Sequence, residues 1–377
     1  MGLYGGLTGL ALPFLAANTH SRVDQISLIF VASSFGYLVG GLFSGKLYDR
    51  YPGNRILASV LIVIAFMWVL IPITPFLWML VLVLFLMGLA HNGMDVGCNS
   101  MLVWLHGSKV GPFINGLHFF FGVGAFVAPL VAAQVIRITG GVTYVYWLFA
   151  LFALLCAILL WNLPSPSAHA ALRASNSRAN APVLLVLLFA FCFLLHAGSQ
   201  VGFGSWLYFY ATRMGLADPA TAAYITSAFW GVFTIGRLLA IGISTRVRPK
   251  TILFVDLFGC LASLTIMIVF PGSLVALWIG VIGIGLFMAS IYPSTMAFAE
   301  QRMHLTGTVT SRILMGGGIG GMLIPWLIGQ LFEPIGPIVT MVIIAIVMTA
   351  HLGVMLWLTL PKMRSGDEQA SVVPLGS

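Results

Sequence analysis

The feature that most limits this chain is a recurrence, along almost its whole length, of apolar runs near 20 residues long. A helix of that length rises about 1.5 Å per residue and crosses about 30 Å of hydrocarbon. Breaks at charges, prolines and glycines give spans over 2–19, 25–47, 56–75, 77–105, 111–137, 143–162, 183–212, 219–245, 251–270, 274–300, 307–332 and 336–360. Of the 377 residues 60% are hydrophobic and 7% are charged, against about 25% charged in a soluble domain. So few ions cannot cover a water-facing surface of this size. The sequence predicts an all-α membrane protein of twelve transmembrane helices.

The net charge of +8 does not point to nucleic acid, because the basic residues lie between apolar runs and form no patch with interleaved polar and aromatic side chains. They read as topology determinants. With the N-terminus in the cytoplasm, only Arg22, Arg137 and Arg213 fall outside, and the other fourteen Lys and Arg fall inside. That bias predicts a multi-pass protein of the cell (inner) membrane with both termini cytoplasmic. The first run starts almost at Met1, without a basic leader or a small-residue cleavage site, so a retained helix is expected. Cys98, Cys156, Cys192 and Cys260 all fall in apolar runs without paired spacing and read as small buried hydrophobes.

Between the sixth and seventh spans lies a segment rich in Ser, Pro, Ala and Arg, which has a linker's composition. It divides the chain into an N-terminal half (1–162), a cytoplasmic linker (163–182), a C-terminal half (183–360) and a cytoplasmic tail (361–377). The halves repeat. Gly122, Gly124, Pro129 and Gln134 recur as Gly318, Gly320, Pro325 and Gln330, at a constant offset of 196 positions. Gly36 answers to Gly236, and Gly88 to Gly285. Two six-helix pseudo-repeats in parallel orientation are the plan of the major facilitator fold, in which solute binds between the halves near the midplane.

After the second span, Gly45-Lys-Leu-Tyr-Asp49-Arg50-Tyr-Pro-Gly53-Asn-Arg55 resembles the major facilitator loop signature, with one extra residue between Asp49 and Gly53. The resemblance implies a conformational latch, here Asp49, Arg50 and Arg55 together with Arg237. The chain is also similar to the fucose:proton symporter family, including its sodium-dependent glucose transporter-like branch. That likeness is carried by Pro13 in Leu-Ala-Leu-Pro-Phe-Leu, by Asn92-Gly-Met-Asp95-Val-Gly-Cys-Asn99, and by Asn115-Gly-Leu-His118. Further matches are Gly198-Ser-Gln200, Ile235-Gly-Arg237, Tyr292-Pro-Ser294 and Gly316-Gly-Gly318. By this resemblance Asp95 holds the position of the coupling acid, His118 that of a cavity-lining polar residue, and Gln200 that of a solute ligand. The family's second acid, in span 1, is replaced by Gly9.

The residues themselves support a site in span 4. Asp95 has 18 residues of its span before it and 10 after, with no base within a helical turn. An acid at that depth tends to face a cavity and to be functional. Asn92, Asp95 and Asn99 are spaced to share one helix face, and amides donate to and accept from sugar hydroxyls. Asn115 and His118 extend the polar set in span 5. Trp206, Trp230 and Tyr292 offer rings on which the apolar face of a sugar stacks. The same side chains would equally serve as hydrogen bonds between helices, a use common for Asn and His in membranes.

The expected function is secondary active transport of a small polar solute, a monosaccharide above all, by alternating access with proton or sodium coupling at Asp95. An exporter of an amphiphilic or drug-like solute and an uncoupled facilitator are the alternatives. No zinc, nucleophile-triad or nucleotide motif is present, so no enzyme activity and no cofactor beyond the co-transported ion are expected. The partners expected are the solute and the lipid bilayer, around a monomer with short loops that leave little surface for a receptor's or a scaffold's contacts.

Overall fold

A computed structural model describes residues 1–166, 182–303 and 305–360. The rest of the expected linker beyond residue 166, apart from Pro182, and the whole expected tail lie outside the described residues. The N-terminal half is built from α1 (Gly2–Asn18), α2 (Val23–Ile26), α3 (Leu28–Gly41), α4 (Ser44–Arg50), α5 (Gly53–Leu70), α6 (Leu77–His106), α7 (Gly111–Thr139) and α8 (Thr143–Trp161). The C-terminal half follows with α9 (Val183–Arg213), α10 (Pro219–Ser244), α11 (Pro249–Val269), α12 (Leu274–Met288), α13 (Ile291–Glu300), α14 (Gly307–Ile335) and α15 (Val339–Leu358).

Eleven helical stretches among the described residues are long and apolar enough to cross a membrane. The 17-residue α1 lies at the short end of the spanning range and is packed in the bundle against α7 and α9, which makes it the twelfth. Two spans that read as unbroken in the sequence are interrupted. Span 2 divides into α2, α3 and α4, and span 10 breaks at Ala289 and Ser290 between α12 and α13.

Ends are set by local chemistry. Asp218 caps α10 by accepting from the Ala220 and Thr221 backbone N–H groups, and the Thr221 hydroxyl on its other oxygen helps hold the carboxyl below the usual range. Ser273 and Thr306 cap α12 and α14 in the same way. Where the linker begins, the Asn54 amide donates to the Leu163 and Pro164 carbonyls, which anchors the chain to the start of α5.

Within each half the helices approach closely at repeat-related glycines. Gly36 of α3 lies on the backbone of α6 at Phe85, and Gly236 of α10 lies on Leu286 of α12 and on Ala289 just past its end. The halves meet along α1 with α9, α7 with α10, and α2 and α3 with α14, the last two being equivalent seams under the repeat. At Gly9 the contact is with the Ser205 backbone of the other half, and a Cβ there would collide with it. Where the family resemblance leads one to look for a second acid, this chain brings two helices together with no room for any side chain.

The seams are bonded at the ends remote from the Lys- and Arg-rich loops, here called the outer ends. Gln134 Nε2 donates to the Tyr224 hydroxyl at 2.6 Å, Ser227 Oγ to the Phe126 carbonyl at 2.7 Å, and Gln330 Nε2 to the Asp24 carbonyl at 2.8 Å and Ser27 Oγ at 3.1 Å. Closer to the basic ends Gly122 lies against Thr234 and Gly318 against Leu38, and beyond them the seams turn exposed at Leu42, Phe113, Ile241 and Leu314. The hydrogen bonds between the halves named above all lie at the outer ends. The bundle is closed at its outer end and parted at its basic end.

Candidate functional site

Asp95 projects from α6, and both of its oxygens are engaged. The Tyr37 hydroxyl of α3 donates to Oδ2 at 2.5 Å, and Asn99 Nδ2, one turn along α6, donates to Oδ1 at 3.1 Å. The Asn99 amide also reaches the Asp95 carbonyl at 2.9 Å. Charge-assisted bonds of this kind hold a carboxylate in one orientation. Asp95, Tyr37 and Asn99 are all half-buried. Asp95 lies within electrostatic reach of His118 on α7 and of Tyr292 on α13 in the other half, and those two are both in reach of Arg237 on α10. A carboxylate on one half and a guanidinium on the other thus share two neighbours, the His118 imidazole on the half of Asp95 and the Tyr292 phenol on the half of Arg237.

Arg237 is half-buried, its guanidinium lies over the Phe233 ring at 4.6 Å from the centroid, and its Nε has no protein partner. A buried donor without a partner is costly unless water or a ligand serves it. This geometry places Arg237 with the candidate site rather than beside Asp49, Arg50 and Arg55. Those three are exposed, and none takes part in an ion pair among the described residues, where the pairs found are Arg22 with Asp24 and Arg213 with Glu333. Tyr48 anchors the loop helix α4, its ring buried against Gly97 of α6.

The other expected ligands divide. Asn115 and His118 are exposed on α7 one turn apart, on the parted side of the interface. Asn92 turns away from Asp95 and packs on Gly40 and Gly41 of α3, 6% exposed, with its Oδ1 unpartnered. Gln200 is half-buried on α9. Trp206 is fully buried, its Nε1 donates to the Pro325 carbonyl at 2.9 Å, and it packs among Phe30, Phe209 and Phe332. An indole satisfied in this way presents no surface to a solute, so the structure does not bring Trp206 to the site. Trp230 is buried at the α7–α10 seam against Phe121, with its Nε1 unpartnered. Of the four cysteines, Cys192 and Cys260 are buried as expected, and Cys98 and Cys156 are partly exposed.

A cavity of about 710 Å³ lies at the outer end among Pro13, Ser21, Arg22, Arg213, Gln330 and Glu333, and none of the expected solute ligands lines it. Sequence reasoning missed Tyr37 altogether. Its only signal was a lone phenol in an apolar run, and nothing local to residue 37 announces a partner 58 positions away.

Comparison with known proteins agrees with the architecture. The family described as Major Facilitator Superfamily matches residues 1–325. The sodium-dependent glucose transporter 1A of Mus musculus is 29% identical, over 88% of this chain and 87% of its own. The sodium-dependent glucose transporter 1 of Xenopus laevis is 30% identical, over 84% and 70%. The major facilitator superfamily domain-containing protein 4A of Homo sapiens is 24% identical, over 89% and 84%. Among solved structures, a mutant form of the nucleoside transporter NupG superposes with a TM-score of 0.76 at 14% identity, covering 95% of this chain and 96% of that one, a likeness of fold alone.

Proposed function

This chain belongs to the major facilitator superfamily, and from that premise we propose that it carries a monosaccharide across a cell membrane by alternating access, coupled to sodium or protons at Asp95. It is an integral multi-pass membrane transporter and not an enzyme. The observation that carries the finer reading is the Asp95 carboxylate, held by Tyr37 and Asn99, with His118 of its own half and Tyr292 of the other half near it and Arg237 near both of these. Hydroxyl, amide, imidazole and guanidinium groups offer the mixed donors and acceptors that sugar hydroxyls need. The names of the glucose-transporting relatives favour a sugar, and the sodium in those names favours that ion.

The Lys and Arg bias puts the basic ends in the cytoplasm. The structure is then the inward-facing state, closed outside and open inside. Asp49, Arg50 and Arg55 stand unpaired because a latch at the basic end engages when that end closes. A bound cation neutralises Asp95, which lowers the cost of carrying the carboxylate through a closed intermediate, so sugar and ion move together. Uptake of labelled monosaccharides into proteoliposomes, with and without each ion gradient, tests the reading. Accumulation driven by one gradient, and its loss in Asp95→Asn, is expected. Flux that only equilibrates sugar in every gradient would make the protein an uncoupled facilitator, and an absence of any sugar flux would overturn the solute class.

A further inference from the structure

Asp95 is not the sole acid within the spans. Among the described residues Asp256 of α11 is the one acid in the buried set, at 5% exposed. No Lys or Arg pairs with it among those residues. Its Oδ2 accepts a hydrogen bond of 2.6 Å from Ser290 Oγ, itself 7% exposed.

Ser290 lies at the interruption of span 10, where α12 has ended at Met288 and α13 has yet to begin at Ile291. A break in a spanning helix frees backbone carbonyls, and within a membrane such irregular backbone is tolerated where protein, water or an ion serves it. A buried carboxylate and a hydroxyl, at a break where Pro293 has no N–H for the Ala289 carbonyl while the Ser290 carbonyl accepts from the Ser294 N–H, give an oxygen-rich environment suited to a hard cation. Among the described residues no group of three His, Cys, Asp or Glu is gathered as a transition metal would require.

The helices packed on α11 are α12, α13 and α15. Their titratable groups are Tyr292 and Glu300 on α13 and His351 on α15; α12 carries none. Lys250 and Cys260 share α11 with Asp256. His351 is fully buried with both ring nitrogens unpartnered, and the same holds for His196 of α9, whose ring centroid lies 6.5 Å from that of Tyr292. Of these only Lys250 carries a fixed positive charge, and it lies over the Phe254 ring and forms no ion pair with Asp256. A bare carboxylate so enclosed costs several kcal/mol unless something neutralises it.

We propose that Asp256 and Ser290 form a second monovalent-cation site, in the C-terminal half, where a proton or a sodium ion neutralises the carboxylate and ties α11 to the break in span 10. The site rests on the reading of this chain as a cation-coupled carrier, but its binding is measurable without any sugar. The test is the thermal midpoint of the purified full chain in nanodiscs. Sodium is varied against choline at fixed pH in one arm, and pH is varied in sodium-free choline in the other. Wild type, Asp95→Asn, Asp256→Asn and the double variant are compared.

Asp95→Asn is expected to keep a cation-dependent rise in midpoint, and the double variant to lose it. A rise with sodium at fixed pH identifies sodium, and a rise only on acidification identifies the proton. No cation dependence in Asp95→Asn, or an undiminished response when Asp256→Asn is added to it, overturns the site. Should Asp256→Asn fail to fold, Ser290→Ala in the Asp95→Asn background keeps the carboxylate and is expected to weaken the apparent cation affinity about tenfold. An unchanged affinity there overturns the proposal too. Loss of sugar flux with the Asp256 response intact would refute the sugar assignment and leave this site standing.

Discussion

The two ends of the interface between the halves are held on different principles. At the outer end each seam is fastened by a glutamine, Gln134 to Tyr224 and Gln330 to Asp24 and Ser27, and these glutamines are counterparts in the internal repeat. At the basic end Asp49, Arg50 and Arg55 are exposed and unpaired. One end is thus closed by neutral hydrogen bonds, each worth about 1 kcal/mol net. The other carries charges with no present partner. The difference teaches that this state is fastened by a few weak and symmetric contacts, which a modest differential in binding energy suffices to release.

The largest effect is expected where the backbones touch. Gly9→Leu forces a side chain into the Ser205 backbone, at a cost of about 3 kcal/mol or more in the outer-closed state. Spin labels at the exposed Ile138 and Ile335, on opposite halves near the outer end, then report the long outer distance as the major population. A distribution like that of wild type would show that this contact does not fix the closure. Removing both fasteners in Gln134→Ala/Gln330→Ala comes next, at about 2–3 kcal/mol, which shifts the ratio of the two states by about 30- to 150-fold. The seams share no residue, so the two single effects should sum to the double within about 0.5 kcal/mol. A clear departure would mean that the seams open as one.

Asp49→Asn acts at the other end and in the opposite sense. It leaves the contacts of this state untouched and, if the latch forms when the basic end closes, deepens the preference for it, slowing exchange by severalfold. Faster exchange would remove Asp49 from the latch. The smallest effect is set for Asp218→Ala, which deletes the cap of α10 and lowers stability by about 1 kcal/mol with no change in the balance of states. A thermal melt and the same spin-label distances separate the two outcomes.

Much of this was legible in the sequence, because apolar length and charge placement are local signals. Span boundaries and the pairing of Gln134 with Gln330 needed nothing from the fold. The interruption of span 10 had a local signal that went unused: Pro293 has no N–H for the Ala289 carbonyl and its ring crowds that turn, which is where α12 gives way to α13. In the site, the spacing of Asp95 and Asn99 placed them on one helix face, and the structure joins them by a hydrogen bond that the sequence reading did not name. Asn92 shared the same arithmetic, but the glycines of α3 draw it to the other side. Trp206 could not be told from a solute-stacking ring because its hydrogen-bond acceptor is 119 positions away. Asp256 was passed over because it lies only five residues inside its expected span, where an acid reads as near the span's end, and only the packing of α11 shows it buried.

The chemistry of the outer fasteners also sets how the carrier responds to its solvent. Amides, hydroxyls and carbonyls bear no net charge, so the mobile ions that screen exposed charges over about 10 Å at 0.1 M ionic strength have nothing to act on there. Both ion pairs near that end, Arg22 with Asp24 and Arg213 with Glu333, lie within a single half and cancel locally. Brine should therefore leave the outer closure intact while weakening whatever the loose charges of the basic end assemble, so that ionic strength acts on one gate alone.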